Sequence, residues 1–179
     1  MDEDGVCQIA SIRLRLGVDG GRGIVGWRVR GLADGSIDGL QTEASEAPAR
    51  SGGAQHPLGV TGVDHVVAAT PDLERTLGAL QEAGLELRRV REAGPSARQG
   101  FFVVGDALLE VVGPKEPDGD GPASFWGLVL VVDDIDAAAE RLGPLLGTPR
   151  DAVQEGRRIA TVRREAGLGT AVALMTPRA

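Results

Sequence analysis

Cysteine is almost missing: Cys7 is the one thiol in 179 residues. It has no internal disulfide partner, and with His56 and His65 as the only histidines no zinc site of Cys/His spacing can be assembled. Aromatic residues are scarce too, confined to Trp27, Phe101, Phe102, Phe125 and Trp126, and the absence of tyrosine excludes phenol chemistry. No apolar run approaches the roughly 18 residues that would predict a membrane-spanning helix. Positive charge is in deficit, with 19 Lys plus Arg against 26 Asp plus Glu, a net charge of −7 and a pI near 4.9. That excludes a basic stripe for nucleic acid and argues against docking on an anionic membrane, so neither is an expected partner. Lysine is reduced to Lys115, the other basic residues being arginine, which reads as coding bias. The start, Met1-Asp2-Glu3-Asp4, has neither the basic nor the apolar region of a secretory leader, and the expected location is cytoplasmic.

What is present is an ordinary globular balance, 42% hydrophobic and 25% charged. The runs 9–16 and 24–32 alternate apolar and polar residues, the period of half-buried strands, and the Gly-rich stretch 18–23 between them predicts a hairpin. That stretch is not followed by a helix, so it is no phosphate loop. Residues 41–57 are rich in Ala, Ser, Gly, Pro and Glu without a period and read as a linker. The expected division is 1–57 as N-terminal β-hairpin extension and linker, and 58–179 as one domain.

Within 58–179 the order strand, helix, strand, strand, strand occurs twice. Strands are predicted at 62–70, 85–93, 97–106 and 107–114, with a helix over 71–84 that buries Leu73, Leu77 and Leu80, takes Thr70 as its cap and leaves at Gly84. The second round has strands at 124–134, near 149–154, at 157–165 and at 170–177, with a helix over 135–146 capped by Asp134. Asp72 and Asp134 lie 134 − 72 = 62 apart, as do Leu80 and Leu142, and Gly105 and Gly167. A fixed offset of this kind marks an internal repeat, with modules at 60–114 and 123–178.

A first strand reading His-Val-Val before a Pro-Asp-Leu helix start, a last strand reading Leu-Leu-Glu-Val-Val-Gly-Pro, and a Val-Asp-Asp-Ile-Asp junction in the second module together resemble the vicinal oxygen chelate superfamily. Its members include glyoxalase I, bleomycin-resistance proteins, extradiol dioxygenases and methylmalonyl-CoA epimerases. The resemblance implies an α+β fold in which two tandem βαβββ modules form a curved-sheet cup. It also implies ligands on the first and last strand of each module. His65 and Glu110 stand at those positions in the first module, Gly127 and Ala173 in the second. Alternation places Phe125 and Val129 beside Gly127, and Met175 beside Ala173. None of these is a hard ligand, so two donors remain where a catalytic metal takes three, and neither a metal nor another cofactor is expected.

His65 and Glu110 are the candidate catalytic pair, with His65 and Val67 toward the cup and Val66 and Ala68 toward the helix. A carboxylate beside an imidazole orients it as a general base does; the plain alternative is a buried pair that satisfies itself. Phe125, Gly127, Val129, Ala173 and Met175 are the candidate ligand-binding residues. In each of Arg157-Arg158 and Arg163-Arg164, one member could reach an anionic group. His56 reads as solvated, and Asp134 and Asp136 as helix-end residues rather than metal ligands. Three functions compete. The leading one is a metal-independent cup that binds a small organic molecule, with a homodimer left open. The second is a glyoxalase-like lyase, isomerase or dioxygenase using His65 and Glu110, with an incomplete metal site or as an acid/base pair. The third is a regulatory module whose own N-terminal hairpin fills the cup.

Overall fold

The structure is a computed structural model describing residues 5–17, 21–47 and 56–178. Two strands open it, β1 (Val6–Ile9) and β2 (Ile12–Arg15), paired antiparallel with Ile9 opposite Ile12. An N-terminal hairpin therefore exists, but the 12–15 run pairs with 6–9 and not with 24–32. The two-residue loop Ala10-Ser11, with Ala10 at φ +49°, closes a much shorter circuit than a Gly-rich connection would. Residues 18–20 of the expected turn and 48–55 of the expected linker lie outside the described residues.

The second run contributes β3 (Trp27–Val29), which joins β4 (Gly35–Ile37) and β5 (Leu40–Ala44) in the order β3-β5-β4, with β3 parallel to β5. Residues 41–44, read as linker, are thus a strand. Asp38 and Gly39 form its hairpin turn at φ +47° and +98°. An Asp-Gly pair between Ile37 and Leu40 is a strong local hairpin signal, and the low-complexity composition just beyond obscured it.

The repeat follows: β6 (Val60–Ala69), α1 (Leu73–Glu82), β7 (Leu87–Glu92), β8 (Ala97–Val104) and β9 (Ala107–Pro114), then β10 (Ser124–Val132), α2 (Ile135–Leu142), β11 (Arg150–Asp151), β12 (Arg158–Thr161) and β13 (Ala171–Met175). The class is α+β, and the element order is the predicted one. α1 is capped by Asp72 rather than Thr70. The Asp72 carboxylate accepts from Arg75 N at 3.1 Å, while the Thr70 hydroxyl accepts from Asp72 N at 3.1 Å and so fixes the cap itself. α2 is capped by Asp134, as predicted, but ends at Leu142, because Gly143 turns to φ +53° and Pro144 enters a short 3-10 turn.

The described residues fall into two compact units, one made of 22–47 and 65–127, the other of 5–17, 56–64 and 128–178. In the first, β6, β9, β8 and β7 are neighbours in that order. Leu73, Leu77 and Leu80 of α1 bury against Ala68, Leu109, Val111 and Phe102, joined by Leu40. Burying a leucine contributes about 1.5–3 kcal/mol, so this stripe is a large share of the unit's stability. Gly100 lets α1 lie close: a Cβ there would stand 2.3 Å from Leu77 Cδ2. The three-stranded sheet belongs to this core. The Asp38 carboxylate accepts from Arg75 Nε at 2.9 Å and from the Thr76 hydroxyl, holding β4 to α1. In the second unit β11, β12, β13 and β10 are neighbours in that order, and Ile135 and Ala138 of α2 pack with Val132, Ala160 and Leu174. No helix among the described residues is long and apolar enough to cross a membrane.

Candidate functional site

Strand alternation decides what the first sheet presents on the side away from α1. Ala68, Leu109, Val111 and Phe102 point under the helix, so Val67, Glu110, Gln99 and Phe101 point the other way. Register aligns them: Phe101 lies opposite Glu110, Glu110 beside Val67, and His65 beside Leu108. Diagonally across β6 and β9, His65 Nε2 stands 3.4 Å from Glu110 Oε2, with side chains 9% and 11% exposed. The pair expected from the sequence is therefore brought together on the predicted face.

Gln99 completes it, and sequence reading passed this residue over. Its amide donates to Glu110 Oε1 at 2.5 Å, while its own oxygen accepts from Arg91 Nε at 2.7 Å. Each Glu110 oxygen thus has a polar neighbour, as a carboxylate at such low exposure requires. The signal was available in Ala-Arg-Gln-Gly-Phe-Phe, where alternation puts Gln99 and Phe101 on one face. Beyond them Arg89 and Arg91 stack on the Phe101 ring, 4.9 and 5.1 Å from its centroid. The face offers a held carboxylate beside an imidazole, a pair suited to taking and returning a proton.

The remaining candidates contribute no polar group. Phe125 was expected beside Gly127 on the site face. Instead it packs into the core under α1 and meets the Trp27 ring edge-on at 5.5 Å. The physical reason is β3, whose aromatic partner captures a ring that the sequence left without one. Gly127 and Val129 are buried in β10, and in β13 Met175 is buried while Ala173 is half-buried. Leu174 and Ala160 point under α2, so Ala173 and Met175 lie on the opposite side, across from Thr161 and Ile159. His56 is exposed, its Nδ1 accepting from Leu58 N at 3.2 Å.

The arginine pairs divide. Arg158 forks onto Asp136 at 2.5 and 3.0 Å, which holds the Asp136 carboxyl below its usual 3.8 and raises the Arg158 guanidinium. Arg157 is buried, with Nη1 2.7 Å from Asp64 Oδ1 and Nε donating to Thr176 O at 2.7 Å. The Asp64 contact is a charge contact without an aligned N–H, and among the described residues Nη2 has no hydrogen-bond partner. Arg163 Nε reaches Leu146 O at 3.5 Å, and Arg164 opens an exposed 3-10 turn.

A metal is implied by the resemblance, and the donor set does not fit one. No group of three His, Cys, Asp or Glu side chains able to hold an ion occurs among the described residues. His65 and Glu110 supply two donors, and Gly127 and Ala173 supply none.

Residues 35–157 match the profile of the Glyoxalase/Bleomycin resistance protein/Dioxygenase superfamily. Among solved structures, the chain resembles methylmalonyl-CoA epimerase from Mycobacterium tuberculosis at 22% identity and TM-score 0.57, covering 69% of this chain and 93% of that one. It also resembles a variant of Streptomyces coelicolor methylmalonyl-CoA epimerase in complex with 2-nitronate-propionyl-CoA, at 21% identity and TM-score 0.53, covering 67% and 99%. A hypothetical protein from Bacillus halodurans matches at 14% identity and TM-score 0.53, covering 65% and 94%. No curated protein matches. At these identities the likeness carries the fold alone.

Proposed function

Because the chain belongs to the glyoxalase/bleomycin resistance protein/dioxygenase superfamily, we propose that it binds a small organic molecule over His65, Glu110 and Gln99, without a family-type catalytic metal. The observation that supports this most is the 3.4 Å imidazole–carboxylate contact on the sheet face opposite α1. Convergent polar groups buried at that depth are the usual fixing points of a ligand site. A thermal-shift screen of metabolites tests it, run on the wild type and on His65→Gln with Glu110→Gln. Ligands should stabilise the wild type and lose most of that effect in the variant. Hits that stabilise both equally sink the proposal.

Metal titration supplies an independent check. Two donors from one module are too few for tight binding, so calorimetry with Zn²⁺, Ni²⁺ and Mn²⁺ should show no stoichiometric uptake, and chelator should leave Tm unchanged. One-to-one metal binding that Glu110→Gln abolishes would overturn the metal-free reading.

A second reading is favoured by the same contact. Glu110, held by Gln99, takes a proton from carbon next to a carbonyl, and His65 serves as the partnering acid. Likeness to methylmalonyl-CoA epimerases makes a 2-substituted acyl-CoA the first substrate to try. Loss of the α-proton signal in D₂O, abolished by Glu110→Gln, is the outcome this reading requires. No exchange above the uncatalysed rate removes it.

A further inference from the structure

The arginines of the first sheet fall into two chemical classes. On the helix side Arg98 is paired with Glu74 at 2.5 Å, and Arg88, at the bulge in β7, is paired with its neighbour Glu86 at 2.7 Å. Arg89 and Arg91 are different. They are two residues apart on β7, hence on one face, and both stack on Phe101, which is 3% exposed. Among the described residues neither has a carboxylate within ion-pair distance, and the acceptor Arg91 uses is the neutral Gln99 amide. A ring quadrupole attracts guanidinium but does not neutralise it. Two like charges on one ring repel each other, and a shared anion would relieve that repulsion.

Register places these charges in line with the site. Arg89 lies opposite Phe101, Phe101 opposite Glu110, and Arg91 opposite Gln99. Two strand spacings, about 10 Å, separate β7 from β9. The hydrogen bonds from Arg91 to Gln99 and from Gln99 to Glu110 join the two ends physically.

We infer that Arg89 and Arg91 form the anion-binding end of the site, so that its ligand is an extended organic anion. Its carboxylate or phosphate sits on the Phe101-backed guanidiniums, and its other end reaches Glu110 and His65. The inference rests on reading His65 and Glu110 as a ligand site. Planar guanidiniums suit either oxyanion through paired N–H donors, and the affinity should fall as salt rises.

The test uses the full chain and three probes of one length: hexanoate, hexyl phosphate and the neutral hexanamide. NMR follows the Arg Nε–H and His65 imidazole signals, the latter assigned with His65→Gln. Both anions should shift the Arg89, Arg91 and His65 signals saturably. Arg89→Met with Arg91→Met keeps aliphatic cover on Phe101 and should weaken the anions about tenfold or more, leaving hexanamide unchanged. The paired change to Lys keeps both charges and should hold anion affinity within severalfold, so a misfolded Met variant does not end the test. Equal anion affinity in wild type and Met variant, or no arginine response to either anion at tens of millimolar, overturns the inference. If the arginines respond and His65 stays silent, the anion site stands and the ligand reading of His65 and Glu110 falls. If all three probes move His65 regardless of the arginines, the ligand reading stands and the anion site falls.

Discussion

Glu110 is held by neighbours of different kinds, His65 and Gln99 among them, and the Gln99 contribution can be separated. Removing the Gln99 amide leaves a carboxylate at low exposure with one partner fewer, which costs about 1–3 kcal/mol. Gln99→Leu should lose that much in chemical denaturation. Glu110→Leu with Gln99→Leu should recover part of it, because no under-partnered carboxylate then remains, and a strictly additive cycle would show the hydrogen bond to be idle. Gly100 is a second residue with a sharp expectation. A methyl group 2.3 Å from Leu77 Cδ2, in a leucine 2% exposed, overpacks the α1 contact. Gly100→Ala should cost about 1–3 kcal/mol and be partly rescued by Leu77→Val. At this scale the sequence was legible within each strand: alternation sets His65 and Val67 on one face, while the meeting of His65 with Glu110 was implied by the family resemblance alone and comes from the register that pairs Val67 with Glu110. It misled on Phe125, expected beside Gly127, because the ring's partner, Trp27, comes from a run that alternation assigned to a hairpin with 9–16.

Elements were legible in proportion to how local their causes are. The helices announced themselves, α1 through its Leu spacing and α2 through its Asp134 cap, and β8 and β9 through the Gly105-Asp106 turn, which joins Val104 to Ala107. The 24–32 run was legible as a strand but the pairing of β3 was not, since its parallel partner β5 is not its sequence neighbour and lies in a stretch whose composition read as linker. The α2 terminus supports a pH prediction. Arg158 holds the Asp136 carboxyl below 3.8, so the stabilisation is fully present above that value and is lost as pH falls through the lower folded value. Asp136→Asn should therefore melt below the wild type at neutral pH, and the gap should close in acid. Both groups are solvent-exposed, so salt should shrink it as well. A Tm difference that persists unchanged to the lowest pH would contradict the assignment.

At the scale of the whole molecule, the strands β3 to β5 of the extension are part of a core. Leu40 is fully buried among the α1 leucines, and Asp38 ties β4 to Arg75 and Thr76. A chain lacking residues 1–47 should lose cooperative melting or drop sharply in Tm, measured by circular dichroism. Asp38→Ala alone should lower stability by about 1–3 kcal/mol through the two lost contacts. A truncated chain that melts like the full one would detach the segment from the domain. The last consequence concerns β7, which ends the strand order beyond β8. A terminal strand offers unpaired backbone groups to any passing chain, and charged side chains there are a common defence against fibrillar association. Arg88, Arg89, Arg91 and Glu92 crowd this one. The same arginines that would greet an anion thus also act as gatekeepers of colloidal solubility, and neutralising them should make concentrated solutions of the protein prone to aggregate.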